Sequence, residues 1–434
     1  MKYCRYNSIL KVDDNHHILY CALSDQFIIL RESAYHDISN YDADTLAKEN
    51  SILYDQLISA QGIIRNHCEE QQLLYRKIRG IDDNDSEYHL HINPTVDCNF
   101  KCWYCYEEHI RGTKMSPVVL ESIKKLINNV LNRQKNLQIF NLSFFGGEPL
   151  MYFYAVAKPL IEYVYFLTAQ RKIKVNLHFT TNGFLLNNAI IDFLRFKNVC
   201  FQITLDGDRN AHNSTRFTNS GFGSYDIIIK NIKRLIKAGH YLILRINYTS
   251  SNIFNLPNIL KDLNVIESRF KKNITVDFQK VWQDNEADKN DEVIQSLNEN
   301  IKSFISAGFR VSSHKILDSV NNSCYGDKRY HALINYNGDV FNCTARDFST
   351  QKRAGYLNTT GNIVWEHNSL ENRLALKFSK RICHSCRIAP LCGGGCCQRA
   401  LESENDQQCL YSYSESDIDQ IILDRFEFMF VSQS

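Results

Sequence analysis

Three cysteines crowd the stretch Asp97-Cys-Asn-Phe-Lys-Cys-Trp-Tyr-Cys-Tyr106: Cys98, Cys102 and Cys105. Several soft thiolates in one short loop suit an iron–sulfur cluster. Three thiolates on four irons leave one iron without a protein ligand, free to hold a small molecule and act on it. A zinc ion is the alternative reading. Zinc wants four closed ligands, and His109 is at hand as a fourth.

A second group of cysteines falls in the last quarter of the chain: Cys324, Cys343, then Cys383-x2-Cys386-x5-Cys392-x3-Cys396, and Cys409. Gly393-Gly394-Gly395 gives the backbone freedom to wrap a cluster there. A zinc ribbon built on Cys383 and Cys386 is the alternative. The total of fifteen cysteines is odd, which favours metal ligation over a disulfide framework. The other five (Cys4, Cys21, Cys68, Cys200 and Cys397) read as small buried hydrophobes.

The elements that must position these residues are legible as an alternation. Strand-like segments at 88–96, 137–145, 174–180, 199–205, 242–249 and 274–281 alternate with helical ones at 117–130, 155–169, 188–195, 225–238 and 256–263. Parallel strands with crossover helices follow, and about six units make an incomplete barrel. Chemistry in such barrels gathers at the C-terminal ends of the strands. The Cys98–Cys105 loop, Gly146-Gly147-Glu148-Pro149, Thr180-Thr181-Asn182-Gly183 and Asp206-Gly207 all fall at such ends. The expected fold is α/β, a partial (β/α)6 TIM-like barrel over residues 88–308. A small α+β module precedes it at 1–87, with strands at 8–12, 17–23 and 26–30, helices at 42–60 and 69–78, and a polar linker at 82–87. A cysteine-rich C-terminal auxiliary-cluster domain follows at 309–434, closed by a helix at 417–430.

Composition narrows the class. The 434 residues are 44% hydrophobic and 23% charged, with net charge +2, so neither nucleic acid nor a membrane surface is favoured as a partner. The most apolar stretch, 152–167, is broken by Lys158, Pro159 and Glu162. With no signal-peptide pattern at the start, a cytoplasmic location is expected.

Taken together, the first cysteine loop with Tyr104, the Gly-Gly-Glu-Pro segment, Thr181-Asn182 and Thr204-Leu205-Asp206-Gly207 followed by His212 and Arg216 resemble the radical S-adenosylmethionine (SAM) enzymes. The seven later cysteines resemble the SPASM domain that follows some of these barrels. The resemblance spans about residues 88–410. It implies that Cys98, Cys102 and Cys105 hold a 4Fe–4S cluster whose open iron chelates SAM. It also implies reductive cleavage of SAM to methionine and a 5′-deoxyadenosyl radical, which abstracts hydrogen from a substrate. Tyr104, Gly146, Gly147, Glu148, Pro149, Thr181, Asn182, Asp206 and Arg216 become cofactor-binding candidates. Gly146 and Gly147 would let backbone approach the ligand, Glu148 would accept from the SAM ammonium, and Arg216 would pair with the SAM carboxylate. Asp206 has an equal reading as a turn or cap residue, and His212 reads as structural.

The same resemblance implies two auxiliary 4Fe–4S clusters, three clusters in all. Cys383, Cys386, Cys392 and Cys409 would hold the outer one; Cys324, Cys343 and Cys396 the inner one. No cysteine lies between Cys200 and Cys324, so the inner cluster has an open iron, closed by substrate, water or a side chain such as His314 or Asp318, with Cys397 as a rival fourth ligand. The implied substrate is a ribosomally synthesised precursor peptide, with a leader recognised by the N-terminal module through strand addition; a module that only caps the barrel is the alternative. The implied product is a thioether, carbon–carbon or carbon–oxygen crosslink, and a flavodoxin or ferredoxin is the electron donor. Formylglycine formation on sulfatases is a second reading. Against it, Thr344 follows Cys343 where sulfatase-maturing relatives carry aspartate. A non-catalytic iron–sulfur or zinc protein is a third. Asp347 and Tyr325 are candidate bases or hydrogen relays.

Overall fold

The computed structural model describes residues 1–287, 290–312 and 323–430. His314 and Asp318 lie outside the described residues. Two compact units are present: Met1–Asn84 with Ser313–Arg329 and Leu370–Ser434, and Asp85–Ser312 with Tyr330–Ser369.

In the first unit, β1 (Lys2–Tyr3) pairs antiparallel with β5 (Ile63–Ile64). Strands β2 (Asn7–Lys11), β3 (His16–Cys21) and β4 (Gln26–Arg31) form an antiparallel meander in the order β2-β3-β4. The turn between β2 and β3 closes on Asp13, whose Oδ1 accepts from Asn15 N at 2.8 Å, an aspartate turning its own backbone. Side-chain caps start three of the helices that follow: Asp42 on Ala43–Glu49, Asn50 on Ser51–Ser59 and Asn66 on His67–Asp82. A further helix, Glu32–Asn40, escaped the sequence reading because it has no side-chain cap and buries no residue.

One apolar cluster joins Tyr6, Tyr20, Leu74 and Ile78 from the front of the chain to Phe378, Ile388, Leu391 and Ile422 from the back. The N-terminal strands and the C-terminal cysteine segment therefore share a core. The closing helix, Glu415–Phe430, buries Ile418, Ile421 and Ile422 in it. Cys4, Cys21 and Cys397 are buried as expected, but Cys200 is half-buried and Cys68 is exposed.

The second unit is built on an eleven-stranded sheet. Its parallel part runs β6 (Glu87–Ile92), β7 (Ile139–Phe144), β8 (Lys174–Thr181), β9 (Val199–Leu205), β10 (Tyr241–Tyr248), β11 (Ile274–Lys280) and β12 (Arg310–Val311). Crossover helices Pro117–Arg133, Lys158–Thr168, Asn188–Leu194, Tyr225–Lys237, Leu256–Leu263 and Asp291–Ser306 complete six β/α units. On each strand, alternate residues such as Leu90, Leu142, Phe179, Phe201 and Leu244 are buried against the helices. The residues between them turn to the other, concave face, which is polar: His91, Ser143, His178 and Gln202 are examples.

Residues 330–369, which cysteine spacing assigned to the C-terminal segment, extend this sheet. β13 (His331–Ile334) pairs parallel with β6, and β14 (Asp339–Phe341), β15 (Gly355–Leu357) and β16 (Ile363–Trp365) continue antiparallel. These strands are short, so they carry little periodicity. Their placement rests on the burial of every β13 residue beside β6.

Candidate active site

The loop after β6 carries Cys98, Cys102 and Cys105, all half-buried. Its stem is fixed by Asp97, whose Oδ1 accepts from Cys98 N and whose Oδ2 accepts from Gly112 N, each at 2.8 Å. Cys105 Sγ lies 3.4 Å from His109 Nε2, and His109 Nδ1 donates to Val96 O at 2.9 Å. Burial pushes all three thiols up from the ordinary cysteine range, so thiolates here need a positive centre beside them. Among the described residues no group of three or more His, Cys, Asp or Glu side chains is drawn close enough to hold one metal ion.

The Gly-Gly-Glu-Pro segment follows β7 and braces that stem. Gly147 N donates to Thr95 O at 3.2 Å and Glu148 N to Asp97 O at 3.0 Å. A Cβ on Gly146, which sits at φ +96°, would fall 2.3 Å from Thr95 O; one on Gly147 would fall 2.2 Å from Asp97 O. The two glycines are therefore required by the chain's own approach to the cysteine loop, not only by approach to a ligand. Glu148 is fully buried. Its carboxylate accepts from Thr181 Oγ1 at 2.7 Å, Asn182 N at 2.8 Å and Leu150 N at 3.0 Å. It ties the loop after β7 to the end of β8, and Pro149 opens a short 3-10 turn behind it. Burial raises the Glu148 pKa, opposed by those three donors. Asn182 also donates to Asn99 Oδ1 at 2.8 Å, inside the cysteine loop.

Asp206 directly follows β9 and faces Arg216. Arg216 Nε donates to Asp206 Oδ2 at 2.9 Å and to Tyr104 OH at 3.0 Å, while Tyr104 OH donates to the same Oδ2 at 2.6 Å. The cap of the next helix, Arg209–Thr215, is Asp208, so Asp206 is not spent on capping. His212 is fully buried; its Nδ1 accepts from Asp206 N at 3.2 Å and its Nε2 lies 2.9 Å from Ser224 Oγ, a structural role. Among the described residues the terminal nitrogens of Arg216 have no protein acceptor. Asp206 Oδ1, Asn99 Nδ2 and Glu107 Oε2 are buried without a partner.

Buried thiols, an arginine with open donors and orphaned polar atoms fit a cluster with a polar, carboxylate-bearing ligand. Asn247, which donates to Tyr104 OH at 3.1 Å, and Asn99 complete the surround. Sequence reasoning missed both. Asn247 sits near the C-terminal end of β10, where barrel chemistry gathers, and that position was its only signal.

In the first unit, Cys383, Cys386, Cys392 and Cys409 act on one another electrostatically. Burial is the main cause that pushes Cys383 up to about 11 and Cys392 up to about 12. Four thiols near enough to influence one another, though not drawn together, suit one cluster once a metal centre gathers them. Cys396 is half-buried and immediately precedes the helix Cys397–Glu402; Cys324 is exposed. Cys343, half-buried after β14, belongs to the sheet unit. Cys397 turns instead into a buried group with Asp327, Lys377 and Arg373. Tyr325 begins a 3-10 turn. Asp347 pairs with Lys352 at 2.5 Å, and this partner holds its carboxyl down at about 2, which makes it a weak base.

Residues 92–263 match the family model described as the Radical SAM superfamily. The chain carries a radical SAM domain. Its curated relatives include the radical SAM cyclopropyl synthase TigE of Paramaledivibacter caminithermalis, 24% identical over 50% of this chain and 45% of that protein. A cysteine-type anaerobic sulfatase-maturating enzyme of Clostridium novyi is 25% identical over 41% of this chain and 46% of that protein. The chain thus spans less than half the length of these relatives. Among solved structures, native anSMEcpe with bound AdoMet aligns at TM-score 0.56, with 20% identity over 79% of this chain and 96% of that one. Streptococcus suis SuiB bound to precursor peptide SuiA aligns at TM-score 0.51, with 15% identity over 94% and 98%. The radical SAM fold with its large mixed sheet is thereby shared. No helix among the described residues is long and apolar enough to cross a membrane.

Proposed function

We propose that this chain is a radical SAM enzyme that modifies a ribosomally made precursor peptide. One observation carries the reading. The Cys98–Cys105 loop, the Gly146–Pro149 loop, Thr181-Asn182 and the Asp206–Arg216 pair meet at the C-terminal ends of four neighbouring strands. Cys98, Cys102 and Cys105 would hold a 4Fe–4S cluster. Bound there, the cluster and SAM would supply the electron and the deoxyadenosyl radical that takes hydrogen from the peptide.

The chain's own residues bind and orient. Arg216 offers its open nitrogens to the SAM carboxylate, while Asp206 and Tyr104 hold the guanidinium in plane. Glu148 fixes the geometry between the cysteine loop and Thr181-Asn182. Cys383, Cys386, Cys392 and Cys409 would hold an auxiliary cluster and extend the electron-carrying set. A flavodoxin or ferredoxin supplies electrons.

The likeness to SuiB, solved with its precursor peptide SuiA, supports a peptide substrate. The edge of β4, the outer strand of its sheet with Ile29 60% exposed, suits a leader strand. Crosslink formation is the reaction expected. A second reading, sulfatase maturation, is favoured by the sulfatase-maturating relative of Clostridium novyi and opposed by Thr344.

The test is anaerobic incubation of reconstituted protein with SAM and dithionite. Formation of 5′-deoxyadenosine, lost in Cys98→Ala, is expected. Its absence in fully iron-loaded protein would remove the radical reading. Mass change on the precursor, against none on a cysteine-bearing sulfatase peptide, would separate the two substrates.

A further inference from the structure

Arg245 stands on β10 between Leu244 and Ile246, both fully buried on the helix side. Strand alternation turns Arg245 to the concave face. Its Nε donates to Asn247 Oδ1 at 2.9 Å, and Asn247 donates in turn to Tyr104 OH in the cysteine loop. Among the described residues the two terminal nitrogens of Arg245 have no protein acceptor, and the residue forms no ion pair. Asp277, its register partner on β11, accepts from Gln279 Nε2 at 2.8 Å and does not pair with it either.

Two opposite charges thus stand side by side on the wall without an ion pair between them. A half-buried guanidinium with open donors is costly unless something else satisfies it. Tyr106 belongs to the same cysteine loop, directly after Cys105. Tyr106 donates to Thr344 O at 2.8 Å and stacks on Trp282 with ring centroids 5.9 Å apart. Both rings are exposed, Tyr106 at 42% and Trp282 at 57%. An open guanidinium, an adjacent carboxylate and an exposed aromatic pair gather next to the cysteine loop.

We infer that Arg245 binds a carboxylate of the peptide substrate, with Asp277 receiving an N–H of the same peptide unit and the Tyr106–Trp282 pair covering an apolar neighbour. The inference rests on the peptide-modifying reading and names the chemistry that the site would select. SAM has one carboxylate, and Arg216 already serves it in that reading. The planar fork of Arg245 suits a second one. The carboxylate has two possible sources, an acidic side chain or the peptide's C-terminus.

The test uses full-length, cluster-reconstituted, SAM-loaded protein and four synthetic probes: acetyl-Gly-Asp-Gly-amide, its Asn counterpart, acetyl-Gly-Gly-Gly with a free C-terminus, and its amide. Binding is read by calorimetry, beside a separate titration of SAM. At least one carboxylate probe should bind about tenfold tighter than its uncharged partner, the difference one charge-assisted hydrogen bond makes. Whether the Asp or the free C-terminal probe shows it identifies the source. Arg245→Met should level the pair, and Arg245→Lys, which keeps the charge but loses the fork, should keep a reduced preference. Melting temperature and iron content serve as folding controls, and the lysine variant keeps the comparison open if the methionine one misfolds. Equal binding of charged and uncharged probes would overturn the inference. So would loss of SAM affinity in Arg245→Met, which would move Arg245 to the cofactor. Probe discrimination without 5′-deoxyadenosine formation would instead remove the radical reading and leave the carboxylate site standing.

Discussion

Arg216 donates from Nε to Asp206 Oδ2 at 2.9 Å, and both side chains are nearly shut off from solvent, at 11% and 3% exposure. Tyr104 reaches the same oxygen from the cysteine loop. One carboxylate oxygen thereby fixes the loop, the end of β9 and the arginine together. The pairing leaves the far edge of the guanidinium for a ligand. His212 steadies the arrangement from behind by accepting the Asp206 backbone N–H.

Removing this carboxylate charge should loosen the ligand edge without unfolding the barrel. Asp206→Asn is expected to weaken SAM binding about tenfold, and Arg216→Met more, about 10–100-fold, because hydrogen bonds to charged groups contribute about 1.5–3 kcal/mol. Calorimetric SAM titration of reconstituted protein checks this. Unchanged affinity in Arg216→Met would remove the arginine from the cofactor site.

Gly147→Ala is expected to disturb the cysteine loop rather than a ligand. The added methyl would meet Asp97 O at 2.2 Å, and neither backbone can yield without moving Cys98 beside it. Destabilisation of about 2 kcal/mol or more is expected, in the range of steric insertions at a closed backbone contact. Iron retained at the first cluster should fall even with SAM absent. Thermal unfolding together with iron analysis separates this from a ligand-contact role, which would lower SAM affinity and leave iron unchanged.

The strands of the barrel were legible because each buries one face against helices, which imposes alternation over six to eight residues. β9, read at 199–205, has those bounds in the structure. The cysteine loop was legible from spacing alone. What escaped was non-local. Residues 331–334 show no pattern that announces pairing with β6, because a strand buried throughout carries no alternation. Arg245 and Asn247 sit in an ordinary strand sequence, and only the register with β9 and β11 brings them to the site. The glycines of the Gly-Gly-Glu-Pro segment were legible as necessary. Their neighbours, Thr95 and Asp97, were not, since those lie a whole β/α unit earlier in the chain.

Cys409→Ala should remove one auxiliary cluster and spare the first. Cys383, Cys386 and Cys392 remain close together, but three thiols and no fourth leave that cluster labile. Iron should drop from about twelve to about eight per chain if three four-iron clusters are present. SAM binding should persist. Iron quantification with electron paramagnetic resonance of the reduced protein reads both. Loss of all iron would instead mean that the first unit fails to fold without this cluster.

His178 offers a test of the polar barrel interior by pH. It lies on β8 among the inward-facing residues, and burial holds its pKa down at about 4, against about 6.5 in an unfolded chain. Above pH 6.5 the imidazole is neutral in both states, and its contribution to stability is fully present. As pH falls below 6.5 the unfolded chain takes up the proton first, so stability is lost progressively until the folded state also protonates near pH 4. The loss attributable to this one group is up to about 3 kcal/mol. His178→Gln, which keeps a polar side chain without the titration, should flatten the fall in unfolding free energy between pH 6.5 and 4 by as much as one proton's slope. Urea unfolding of the cluster-free chain at several pH values measures it, and His16→Gln, at an exposed site in the other unit, is the control. An unchanged slope in His178→Gln would mean that the barrel interior solvates the imidazolium, and that the concave face is wet enough to accept charge at no cost.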